Sequence, residues 1–153
     1  MRDTIAGVRV FDRRRATFVD MAPSECGFDY RASNLDDPVL LAAEFELEPD
    51  SAPAIVKRMR KAWIQRKASQ PFSFQAAARM FKDPRGLSAS SLIEQTGLKA
   101  TRVGAAEVSE RDANYIVVGT GAAARDILRL IDLVRSRVQE SFRVELELDI
   151  SVW

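Results

Sequence analysis

Residues 91–118 read SLIEQTGLKATRVGAAEVSERDANYIVV, a helical pattern that changes to strand patterns within one short run. SASSLIEQTG (88–97) has the length of a short helix, and Gly97 suits the left-handed position that closes one. RVGAAEVS (102–109) and NYIVVG (114–119) are short apolar runs bounded by turn residues, as strands are. Downstream, AAARDILRLIDLVRSRVQESF (122–142) places Ile127, Leu130, Ile131, Val134 and Val138 on one helical stripe. VELELDISVW (144–153) alternates and is predicted as a strand. The stripe on 122–142 is expected to pack on a sheet that includes 144–153 and 39–48.

Upstream, IAGVRVFD (5–12) and ATFVDM (16–21) read as two strands joined at RRR (13–15). That arginine run is read as a solvated hairpin tip. FDYRASNL (28–35) is an irregular polar loop, and VLLAAEFELE (39–48) is another strand. Asp50-Ser51 with Pro53 marks a helix start, since a side-chain oxygen caps free amides and proline suits the first turn. Ile55, Met59 and Trp63 recur every four residues, so the helix to about Lys67 is expected to bury that face. QPFSFQ (70–75) ends it. Strands and helices in this order, without βαβ repeats, predict an α+β fold: a small mixed sheet packed with two to three helices.

Composition narrows the chemistry. The 153 residues carry 23 Lys and Arg against 22 Asp and Glu, so no global field favours nucleic acid or a membrane surface, and neither is expected as a partner. No apolar run reaches the about 18 residues of a membrane span, and a cytoplasmic protein is expected. One cysteine, Cys26, and no histidine argue against an internal disulfide, a zinc site and Ser-His or Cys-His catalysis. Cys26 is read as an inert thiol, and Trp63 and Trp153 as core or interface residues. GTGAAA (119–124) opens a helix but lacks the third glycine of a dinucleotide fingerprint.

FDYRAS (28–33), QP (70–71), FKDP (81–84), the run 91–118, ARDILRLIDLV (124–134) and VELELDI (144–150) occur in one order. Together they resemble the UDP-N-acetylenolpyruvoylglucosamine reductase family, also called UDP-N-acetylmuramate dehydrogenase. The resemblance covers the second part of that family; its amino-terminal FAD-binding region has no counterpart in these residues. It implies residues 1–48 as the end of the FAD-binding region and 49–153 as the substrate-binding domain. It also implies, for the family, hydride transfer from NADPH through FAD to an enolpyruvyl group, with a serine protonating the adjacent carbon.

Carried over by position, the resemblance gives a mixed site. The substrate-binding tyrosine-arginine pair is Tyr30-Arg31, and Lys67 matches a substrate lysine. The protonating serine falls on Arg79, whose guanidinium holds its proton too firmly to donate it. A positioning asparagine falls on Asp83, a glutamine on Glu107, and the assisting glutamate on Asp149. Two neutral amides have thus become carboxylates, which repel an anionic nucleotide sugar. The expectation is a non-catalytic homologue with no cofactor of its own and weak binding of a UDP-sugar or other anionic small molecule. One part of a split or truncated reductase is the alternative. A separate flavin-binding chain or a second copy of this chain are the expected protein partners.

Overall fold

The computed structural model describes residues 2–35, 38–73 and 76–151. Two compact units divide the chain, Met1–Ile55 and Val56–Trp153. The α+β class is as expected, with the strands forming two antiparallel sheets.

The first unit is built on β1 (Ile5–Asp12), β2 (Thr17–Met21) and β3 (Val39–Phe45), in the order β2-β1-β3. Val8 and Val10 alternate onto the buried face, where Cys26 joins them and Ile5, Val19, Met21, Phe28 and Leu35 pack around. The β1–β2 hairpin pairs Arg9 with Asp20, and their side chains meet at 2.6 and 2.8 Å. At its tip Asp12 accepts the N–H groups of Arg14 and Arg15, while Arg13 to Arg15 are exposed. Those two amides hold the Asp12 carboxyl below the usual carboxylate range, and the Arg9 guanidinium does the same for Asp20. Both carboxylates therefore favour the fold above their ordinary pKa and lose that contribution on acidification. The strand expected over 39–48 joins this sheet, so it is not part of the one under the long helix.

α1 (Ala52–Ser69) comes next, and here the structure corrects the sequence reading. None of its residues is buried; Met59 is 66% and Trp63 56% exposed. The helix rests on its composition, rich in Ala, Lys and Arg with Pro53 in the first turn, rather than on a buried stripe. Trp63 packs against Phe72 with ring centroids 5.3 Å apart.

The second unit holds β4 (Ala76–Arg79), α2 (Ala89–Gln95), β5 (Arg102–Val103), β6 (Ala106–Val108), β7 (Tyr115–Val118) and α3 (Ala124–Phe142). Its sheet runs β4-β7-β6-β5, all antiparallel. Leu130, Ile131, Val134 and Val138 of α3 are buried with Ala106, Val108 and Ile116 of the sheet and Leu92 and Ile93 of α2. The expected stripe therefore packs on β5 and β6. A buried carboxamide ties the sheet to the chain just beyond β4: Asn114 accepts the Phe81 N–H at 3.0 Å and donates to the Phe81 carbonyl at 2.8 Å.

The strand predicted over 144–153 is reduced to one bridge, Phe81 with Leu148; Val152 and Trp153 lie outside the described residues. Lys82 N–H reaches the Glu147 carbonyl and Asp149 N–H the Met80 carbonyl. Two residues beyond Lys82 the segment reaches Pro84, which has no N–H to extend the ladder. The segment still feeds the core through Leu146, with Val144, Leu148 and Ile150 packed against it.

The β5–β6 turn rests on α3. Gly104 has φ +59°, and a Cβ there would lie 2.3 Å from the Asp126 carboxylate, which also accepts the Ala123 N–H. Gly104→Ala is expected to cost about 1–2 kcal/mol, because it combines a strained φ with displacement of that carboxylate. A thermal melt checks it, and an unchanged Tm would refute the account.

Candidate functional site

The sheet of the second unit has one face on the core and one turned away, and strand register assigns residues to each. Ala78 pairs with Ile116 and Val108 with Ile116, all on the core side. Alternation puts their neighbours on the other face. One row there runs Ala77, Val117, Glu107, Arg102, and the adjacent row pairs Arg79 with Tyr115. Two of the residues singled out in the sequence, Arg79 and Glu107, thus share one face and flank β7.

Arg79, the last residue of β4, turns its guanidinium onto Asp83, within hydrogen-bond reach. The other oxygen of Asp83 accepts the N–H of Ala89, the first residue of α2, at 2.9 Å. Asp83 therefore supplements the Ser88 cap of α2 by taking its first amide and neutralises Arg79 at once, with both side chains only about one third exposed. A guanidinium so held neither releases a proton nor leaves its carboxylate open to a ligand.

Glu107 lies across the β5–β6 hairpin from Arg102, with Nε to Oε2 at 2.8 Å. The pair lines a cavity of about 540 Å³ together with Ser109, Glu110 and Arg111. Arg79 and Asp83 are not among the residues lining it. Arg111 donates to the carbonyls of Lys67, at 2.7 Å, and Gln70, at 3.3 Å, fastening the end of α1 beside the cavity. Lys67 takes part here through its backbone oxygen, and its side chain is exposed.

Asp149 sits opposite Met80 through its backbone hydrogen bond, one residue from Arg79 along the chain it faces. In the first unit, Tyr30 and Arg31 occupy the tip of a tight turn closed by Asp29 and Ala32, with Arg31 at φ +54°. Tyr30 is 55% exposed.

Arg102, Arg111 and Tyr115 were not singled out from sequence. The signal for Arg102 was available, because a two-residue Gly104-Ala105 turn puts residues 102 and 107 opposite each other. Arg111 had no such signal, since its partners are backbone oxygens more than forty residues away.

The glycine turn before α3 does not suit a dinucleotide diphosphate. Asp126 already sits on the Ala123 N–H, and a carboxylate at a helix start opposes a bound phosphate.

Comparison with known proteins bears on the whole chain. The family described as UDP-N-acetylenolpyruvoylglucosamine reductase, C-terminal domain, matches residues 70–153. UDP-N-acetylenolpyruvoylglucosamine reductase 2 of Symbiobacterium thermophilum is 43% identical over 135 residues, covering 87% of this chain and 44% of that protein. The Moorella thermoacetica reductase is 38% identical over 152 residues, covering 99% and 50%. The crystal structure of UDP-N-acetylenolpyruvylglucosamine reductase from Thermus caldophilus superposes with a TM-score of 0.85 at 35% identity, covering 99% of this chain and 54% of that one. The chain spans about half the length of the curated relatives it matches.

Proposed function

Because this chain belongs to the UDP-N-acetylenolpyruvoylglucosamine reductase family, through that family's C-terminal domain, we propose that it is a non-catalytic relative of the domain. On this reading it keeps the substrate-side fold of a cell-wall precursor enzyme, works in the cytoplasm, and has lost the reaction. The observation that carries the proposal is the Arg79–Asp83 pair, whose carboxylate also caps α2. Where the resemblance implies a serine that gives up a proton, the chain has a cation that keeps one. Loss of a general acid alone lowers a rate by roughly 10²- to 10⁴-fold. Glu107 and Asp83 stand where the resemblance implies neutral amides, and each is already engaged by an arginine.

A second reading comes from the coverage: the chain is one part of a split FAD-dependent reductase that uses NADPH, and another polypeptide brings the flavin. Both are tested by NADPH oxidation dependent on the enolpyruvyl substrate, with FAD supplied. Wild type and Arg79→Ser are both expected to show no turnover, and the purified protein no flavin absorbance. Turnover by the wild-type chain alone refutes the first reading. Turnover that appears only after mixing with a flavin-binding chain establishes the second.

A further inference from the structure

α1 has a chemistry that neither the two sheets nor the Arg79–Asp83 site uses. It carries Lys57, Arg58, Arg60, Lys61, Arg66 and Lys67 with no Asp or Glu, in a chain whose charges as a whole nearly balance. Val56, Met59 and Trp63 recur at i, i+3 and i+7 and form a short apolar stripe. Lys57 and Lys61 lie on the opposite side, and Arg60 and Lys67 stand at the border of the stripe. The whole of 56–69 is exposed, stripe and cations alike. Among the described residues, Lys57, Arg60, Lys61, Arg66 and Lys67 form no ion pair with a carboxylate.

We propose that α1 docks on a bilayer surface rich in anionic headgroups, with Val56, Met59 and Trp63 at the level of the acyl chains. This goes beyond the proposed function and does not depend on it. It revises the sequence expectation of no membrane partner, which rested on the charge balance of the whole chain and the lack of a long apolar run. Charge complementarity selects the occupant: a helix of one sign, open along its length, matches an extended negative surface. A polyanion without an apolar layer, such as nucleic acid, would leave the stripe in water. Lysine and arginine at the border keep their stems on the apolar side and their charges among headgroups, and tryptophan favours that boundary. Contact of this kind is peripheral, because no helix among the described residues is long and apolar enough to cross a membrane.

The test is co-sedimentation of the whole chain with sucrose-loaded vesicles, either pure phosphatidylcholine or with about 30% phosphatidylglycerol, where each basic residue adds to the attraction. Binding to the anionic vesicles alone is expected, with a blue shift of Trp63 emission in a Trp153→Phe background. Arg60→Glu with Lys67→Glu, and separately Trp63→Ala, should each weaken binding at least about tenfold. These side chains are exposed, so the variants are expected to keep the wild-type melting curve, which is measured alongside. Equal binding to both vesicles, or to neither, overturns the proposal. So does binding lost only on charge reversal, without the Trp63 shift, or a dimer that Trp63→Ala dissolves while vesicles are ignored.

Discussion

Ile131→Ala is expected to destabilise the second unit by about 2–5 kcal/mol, seen as a lower midpoint in urea unfolding. Ile131 is 2% exposed and belongs to the cluster in which α3 meets the sheet and α2. Truncation removes a branched side chain from a cluster drawn from α3, the sheet and α2, and a helix held by such neighbours cannot close the gap. The loss therefore combines transfer energy with a cavity. Leu128, on the same helix but 39% exposed, is the control, and Leu128→Ala should cost less than about 1 kcal/mol. Equal effects at the two positions would mean that the buried stripe has been misassigned.

Asn114→Ala is expected to cost a comparable amount, about 2–5 kcal/mol, by a different route. The Asn114 side chain satisfies both the N–H and the carbonyl of Phe81, and both residues are buried. Alanine leaves two backbone polar groups without this partner in the interior, each worth roughly 1–3 kcal/mol. Asn114→Asp keeps an acceptor for the N–H but offers the carbonyl no donor, so it should rescue little. A loss below about 0.5 kcal/mol in Asn114→Ala would show that water replaces the carboxamide without cost.

The two residues were not equally visible in the sequence. Ile131 announced itself, because helical periodicity is a property of neighbours along one element. Asn114 did not, because its role depends on Phe81, 33 residues earlier, arriving at the end of β4. The same distinction accounts for the errors. The alternation in 144–150 was real, and Leu146 is buried, but whether it becomes a strand depends on the segment it meets, which pairs with it only at Phe81. Ile55, Met59 and Trp63 have core spacing, yet spacing specifies a face and not what covers it. β4 escaped notice because AAAR (76–79) has weak strand character by itself and is formed by pairing with Tyr115–Val118. At the candidate site, positional resemblance picked out Arg79, Asp83 and Glu107. That Asp83 also serves the start of α2, while Glu107 serves Arg102 beside a separate cavity, required the fold.

The double engagement of Asp83 also restricts how such a site can change through descent. Arg79→Ser would strip Asp83 of its guanidinium and leave a part-buried carboxylate at the start of α2. Asp83→Asn made first would keep an acceptor for the Ala89 amide but deprive Arg79 of its counter-charge. Each single step removes a partner that the other residue uses, so the cost of one substitution depends on whether the other has been made. Restoring a hydroxyl and an amide at this corner is thus one coupled change at two positions rather than two independent ones.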